Sequence, residues 1–228
     1  LIFPFQINQK ASFENFFCSP DNHYLITRLS DFVSSNDAHE LIISGEKGAG
    51  KSFLTQAICN ELDSEGKTFG FIPMKKAINM GIEIFQDLAS LDAICIDDLQ
   101  LILSKGDWEK ALFNLINECQ QTSCSLFLSL GDTKPLEEVT HLPDLLSRIK
   151  RMEFMTLRPV QNEQLKQALE FVSEQLDINI ETAELDFLLK HQTRKFSLLV
   201  ENLHLLDQQA ASLKRRITIP LIKETLKL

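Results

Sequence analysis

Over the first two-thirds of the chain, short apolar runs alternate with segments whose apolar residues recur at helical spacing. Tyr24 to Val33 has a helical pattern, and Leu41-Ile42-Ile43-Ser44 is a compact β-prone run ending at Gly45. Phe53, Leu54, Ala57, Ile58 and Leu62 then recur every three to four residues, which predicts a helix that Gly66 closes. Phe69 to Ile72 and Leu91 to Ile96 predict two more strands, the second ending in Asp97-Asp98. Trp108, Ala111, Leu112, Leu115 and Ile116 mark a helix face, Ser125 to Leu130 a further strand, and Phe154 to Leu157 the last. Strands alternating with helices imply a parallel sheet covered on both faces. From Pro159 onward only helical spacing remains, with Asn162 an expected N-cap and Pro220 placed for the first turn of the last helix. The fold class is therefore α/β followed by a small all-helical lid, with a boundary at Arg158-Pro159. The expected domains are an extended peptide over 1–10, a nucleotide-binding core over 11–158 and a lid over 159–228.

Between the first predicted strand and the helix after it stands Gly45-Glu46-Lys47-Gly48-Ala49-Gly50-Lys51-Ser52, which fits G-x-x-x-x-G-K-[ST] at every fixed position. Glycines let such a backbone wrap with its N–H groups inward, and the following helix aims the positive end of its dipole at phosphates. Gly45, Gly48, Ala49, Gly50, Lys51, Ser52 and Phe53 are the expected nucleotide contacts. Lys51 is expected to reach the β- and γ-phosphates and Ser52 to hold Mg²⁺. Ile94-Cys95-Ile96-Asp97-Asp98 has the form of a Walker B strand. Alone it reads equally well as a strand entering a turn; one α/β unit after a P-loop, it assigns Asp97 to Mg²⁺ and Asp98 to the attacking water.

Two further polar positions suit a nucleotide machine. Asp132 follows a strand able to lie beside the P-loop, where a carboxylate can sense the γ-phosphate, although Asp-Thr-Lys-Pro also makes a good turn. Arg148 ends the apolar helical stretch Leu145-Leu146-Ser147-Arg148-Ile149. An arginine there suits either a solvated surface or a neighbouring subunit's nucleotide.

Composition narrows the function. Lys and Arg total 23 against 32 Asp and Glu, a formal charge of −9 with a pI near 5.1. Affinity for duplex DNA comes from Lys and Arg displacing counterions, so direct DNA binding is disfavoured. No apolar run reaches the ~18–20 residues of a membrane span, and no membrane partner is expected. The five cysteines include no C-x-x-C pair; Cys119 and Cys124 approach a metal-site spacing without a second Cys or His pair, so free thiols in a cytoplasmic protein are expected. The chain opens on Leu1 rather than Met, so residues upstream are expected.

Taken in order, F-E-N-F…P-D-N, GEKGAGKS, CIDD, a strand leading to GD-x-x-P, LPDLLSR and a closing L-K-R-R-I-T-I-P-L-I-K-E-T-L-K-L resemble the AAA+ domain of the DnaA family of bacterial replication proteins. The resemblance covers nearly the whole chain and is nearest to the family's Hda-like regulatory branch. It implies an adaptor carrying ADP or ATP with Mg²⁺, which binds the β sliding clamp of DNA polymerase III and stimulates ATP hydrolysis by ATP-bound DnaA, so that initiation does not repeat. DNA would be met only through the clamp, and a homodimer is left open. Arg148 matches the family's arginine finger, acting in trans, and Asp132 its first sensor. Leu1-Ile2-Phe3-Pro4-Phe5 corresponds to the clamp-binding peptide, with Leu1, Phe3 and Phe5 filling apolar clefts and Pro4 stiffening the backbone. The helix-turn-helix domain of the initiator is expected to be missing. The chain departs from the family at Ser197, which stands where a second sensor arginine is expected; Arg194, three residues earlier, would compensate if both lie on one helix face.

The intact P-loop and Asp97-Asp98 pair leave enzymatic activity open, with weak intrinsic hydrolysis expected. The alternatives are an autonomous AAA+ ATPase of helicase-loader or transposition-helper type and a small-molecule P-loop kinase. The first calls for a basic face for single strands, for which there are only Lys150-Arg151 and Lys214-Arg215-Arg216. The second gives no reason for a helical lid.

Overall fold

The computed structural model describes residues 5–228 and divides the chain into two compact units. Among the described residues, the first contains 5–13 together with Asp21–Arg158, and the second contains Glu14–Pro20 and Pro159–Leu228. Leu1, Ile2, Phe3 and Pro4 lie outside the described residues.

In the first unit the predicted alternation becomes α1 (His23–Ser34), β1 (Glu40–Ser44), α2 (Lys51–Ser64), β2 (Phe69–Pro73), α3 (Met74–Ala77), β3 (Ala93–Asp97), α4 (Gly106–Thr122), β4 (Ser125–Leu130), α5 (Leu136–Val139), α6 (Pro143–Ile149) and β5 (Glu153–Thr156). The strands form one parallel sheet in the order β2-β3-β4-β1-β5. β1 thus lies between β4 and β5, and β3 lies beside β4, so the ends of β1, β3 and β4 meet where chemistry is expected. Every residue of β3 and β4 is buried, which is why these strands read as continuous apolar runs rather than alternating ones. Ile42, Ile94, Ile96, Leu126 and Leu128 share one cluster with Trp108, Leu112 and Ile116 of α4 and Leu145 and Ile149 of α6. α2 packs along β2, β3 and β4. Gly66, with φ +71°, supplies the left-handed residue that ends α2.

One boundary shifts, and one helix end is satisfied, for local reasons. β3 starts at Ala93 rather than Leu91, because the Asp92 carboxylate accepts from Thr68 N–H and Oγ1, both at 2.7 Å, and fixes the turn before the strand. Lys67 Nζ is drawn onto the Val33 carbonyl at 2.5 Å and onto that of Ser35, satisfying the frayed end of α1.

The second unit contains α7 (Leu165–Gln175), α8 (Thr182–His191), α9 (Phe196–Leu213) and α10 (Ile219–Leu226) around its own core of Leu169, Leu185, Leu188, Leu199, Leu203 and Ile222. Pro220 stands in the first turn of α10 as expected. Asn162 is not an N-cap: it opens a 3₁₀ turn over Asn162–Gln164, and Gln164 Oε1 instead accepts from Gln161 N–H at 3.4 Å. Glu14–Pro20 groups with this unit, and Phe17 meets Phe171 edge-on with centroids 5.8 Å apart. None of the helices of the described residues is long and apolar enough to cross a membrane. The five cysteines are unbridged, and all but Cys18 are buried.

Candidate functional site

The P-loop runs from the end of β1 into α2. Gly45 has no room for a side chain, since a Cβ would lie 2.6 Å from the Leu157 carbonyl oxygen. Gly48 and Gly50 take φ +88° and +106°, the left-handed half of backbone space that lets the loop fold over itself. Lys51 is buried, and its Nζ donates to the carbonyls of Gly45 at 2.6 Å and Glu46 at 2.8 Å, spanning the loop it is expected to serve. Burial lowers its pKa, against the opposing pull of Asp132, Asp98 and Asp97. These three carboxylates therefore act on the ammonium through their charge, without an ion pair to it. Ser52 is the second residue of α2, and Gln56 Nε2 donates to its carbonyl at 2.9 Å. Ala49 is buried and Phe53 half-buried.

Asp97 ends β3 and is buried; Asp98 follows with φ +62°. Between them works a residue that local sequence did not single out. Ser129, fully buried on β4, donates its hydroxyl to Asp97 Oδ1 and accepts the Asp98 N–H at 2.9 Å. Gln100 extends the network, donating to Asp98 Oδ1 at 2.8 Å and accepting the Gly131 N–H at 2.7 Å. Lys75, on α3 just past β2, pairs with Asp98 Oδ2 at 2.7 Å; that bond raises its pKa. Asp132 is exposed, and its Oδ2 accepts the Lys47 N–H at 3.2 Å, so it faces the P-loop backbone. The structure thus brings Lys51, Asp97, Asp98 and Asp132 together. The available sequence signals for the additional residues were a lone serine in an apolar strand, and polar residues two positions beyond Asp98 and beyond β2.

This donor set fits a magnesium nucleotide. The glycine cradle excludes side chains, Lys51 carries a cation, and Ser52 with Asp97 would supply oxygens for a hard metal ion. Bound there, the metal nucleotide would supply a γ-phosphoryl group polarised for transfer to water. Asp98, whose two oxygens are held by Gln100 and Lys75, would be the group to orient that water or accept its proton.

Arg148 lies elsewhere. It is half-buried near the end of α6, and its Nη1 donates to Gln120 Oε1 at 3.0 Å; Gln120 Nε2 in turn donates to Glu40 Oε1 at 2.8 Å. Glu40 starts β1, whereas the P-loop leaves its far end, four residues or ~13 Å along the strand. Phe5 is half-buried against the core cluster. In the second unit, Arg194 is exposed in the loop before α9, while Ser197 is the second residue of that helix. The helical spacing expected to let Arg194 replace a sensor at Ser197 therefore does not hold, because Lys195 is extended and the helix starts only at Phe196.

The chain resembles known proteins along nearly its whole length. The family model described as the bacterial DnaA ATPase domain matches residues 7–154, and that described as the Hda lid domain matches 162–226. Domain III of the Thermotoga maritima replication initiation protein DnaA superposes with a TM-score of 0.81 at 20% identity, over 98% of each chain. AMPPCP-bound DnaA from Aquifex aeolicus gives 0.69 at 18%, over 91% of this chain and 70% of that one. The Thermotoga maritima RuvB Holliday junction branch migration motor shares the fold at 0.62 and 18%, over 95% and 73%. A DnaA-type ATPase domain implies nucleotide binding. With that domain matched over more than half of its length and an Hda lid following, the chain belongs to the DnaA family of AAA+ proteins, as an Hda-like member.

Proposed function

We propose that this chain is a nucleotide-bound AAA+ adaptor that binds the β sliding clamp and stimulates ATP hydrolysis by the initiator DnaA, preventing re-initiation. The observation that carries the reading is the placement of Arg148 at the sheet end opposite the P-loop, linked through Gln120 to Glu40. A guanidinium there is out of reach of the nucleotide held by its own P-loop. On the surface of α6, it suits charge developing on a triphosphate bound by an adjoining subunit. An arginine supplied in that way is worth ~10³–10⁵ in rate, so one side chain can dominate the stimulation. Within the adaptor, Lys51 and the P-loop backbone hold ADP or ATP, Ser52 and Asp97 hold Mg²⁺, and Asp132 senses the phosphate end. Leu1, Ile2, Phe3 and Pro4 are assigned to the clamp; Phe5, expected to fill a clamp cleft as well, packs on the core instead and anchors the segment.

The intact set of Lys51, Asp97 and Asp98 favours one second reading, an autonomous AAA+ ATPase. Turnover of ATP separates the two. The adaptor hydrolyses little alone and much when DnaA and DNA-loaded clamp are added, and Arg148→Ala removes the stimulation while leaving nucleotide affinity unchanged. Replacing Leu1 and Phe3 by Ala abolishes clamp capture without altering the melting temperature. Rapid turnover by the isolated chain, or full stimulation by Arg148→Ala, rejects the adaptor.

A further inference from the structure

A groove of about 780 Å³ lies away from the P-loop, between residues 82–90 and α4. Ile82, which is exposed, and half-buried Ala111 contribute apolar surface to it, over a floor closed by the buried Phe85 and Leu115. Asp87, Asp107 and Glu118 line it with exposed carboxylates, against one ammonium, Lys110. The groove is therefore apolar inside and net negative at its mouth. The second unit carries a feature of opposite character. α9 ends at Leu213, which is 45% exposed, and the chain continues through exposed Lys214, Arg215 and Arg216. Lys214 takes the left-handed conformation, φ +51°, and Arg215 N–H closes back on the Ala210 carbonyl at 3.0 Å. The helix end is thus capped by its own backbone, and the three cationic side chains are not needed to hold it. Neither these cations nor the groove's carboxylates form an ion pair among the described residues.

We infer that the groove receives Leu213–Arg216 of a second copy of this chain. Leu213 supplies the apolar contact, and the three cations meet the three carboxylates at the rim, where paired charges set orientation and encounter rate more than affinity. The patches are different surfaces, so the contact is heterologous: each copy offers one groove and one knob, and association runs head to tail. The attraction acts between exposed charges and weakens as salt shortens the Debye length from ~30 Å at 0.01 M to ~8 Å at 0.15 M. The contact is independent of the Arg148 reading, since none of its groups belongs to the finger or the nucleotide site.

Charge reversal tests it by sedimentation of the full chain at low salt. The wild type associates with rising concentration, and salt disperses it. The knob variant Lys214→Glu/Arg215→Glu/Arg216→Glu and the groove variant Asp107→Lys/Glu118→Lys each place like charges opposite one another, and each loses at least ~30-fold in association constant. Mixed in equal amounts, the two reversed partners fit one another, and association returns to within about threefold of wild type. All the substituted residues are exposed, and circular dichroism melts verify that both variants stay folded. A wild type that remains monomeric up to its solubility limit overturns the proposal, as does either variant that associates like wild type, or a mixture that stays monomeric. Loss in the groove variant alone would assign the groove to a different segment and overturn this pairing too.

Discussion

The hydroxyl of Ser129 on β4 donates to the carboxylate of Asp97 on the neighbouring β3, and the same oxygen receives the Asp98 N–H. One buried side chain thus fixes the rotamer of the expected metal ligand and the left-handed backbone of the residue after it. Ser129→Ala leaves a buried N–H and a buried carboxylate oxygen short of a partner, a cost of about 1–3 kcal/mol. Urea unfolding should register that loss. Fluorescent-nucleotide titration should show a higher Mg²⁺ requirement, with Mg²⁺-free affinity, set by Lys51 and the P-loop, nearly unchanged.

Lys75 restrains Asp98. Its side chain is 68% exposed, so the pair is a weak one that a water or phosphate can displace. Lys75→Met frees one oxygen of Asp98 and should raise intrinsic ATP turnover, by up to about fivefold for a pair of this kind. Asp98→Asn in the same background should abolish it. An unchanged rate in Lys75→Met assigns the ion pair to packing alone.

Glu109 governs how α6 is presented. This buried carboxylate accepts the N–H groups of Ser104 at 2.8 Å, His141 at 3.0 Å and Leu142 at 2.8 Å, and Leu142 is the residue before α6. Glu109→Ala strands three backbone donors and should cost about 3–4 kcal/mol in denaturant unfolding. Glu109→Gln, which keeps an acceptor oxygen, should recover about half of that. The stimulation assigned to Arg148 should fall further than nucleotide binding in both.

Asp92 gives the fold an acid-sensitive contact. Hydrogen bonds from Thr68 Oγ1 and N–H hold its carboxyl below the ordinary range. A depressed folded pKa means that the ionised form favours the native state. Its contribution is present above the unfolded value of ~3.9 and is lost as pH falls through the folded pKa. Asp92→Asn should therefore flatten the decline of melting temperature below about pH 4 and leave the neutral plateau lower.

What the chain's letters disclosed follows a physical division. The P-loop is contiguous, and its glycines, lysine and serine act through local backbone, so eight successive residues contain most of that chemistry. The parallel sheet was legible because buried strands must be apolar. Ser129, Gln100 and Lys75 come together only through the register of β3 with its neighbours and the turns beyond, which no local pattern encodes. Arg194 shows the opposite failure: three-residue spacing carries information only inside a helix, and α9 begins two residues too late. Asn162 was outdone as a cap by a glutamine pair for which single-position preference gives little weight.

The side chain of Asn22 donates to the Arg158 carbonyl at 2.8 Å and accepts its N–H at 2.9 Å, clasping the last residue of the first unit from both sides. A backbone held in that way cannot peel away beyond β5 without first releasing the residue that precedes α1. One amide, 136 positions away in sequence, therefore ties the two ends of the Asp21–Arg158 stretch together. Substituting that asparagine would strand a backbone N–H and a carbonyl at this seam and let both ends fray together, while the sheet itself is left untouched.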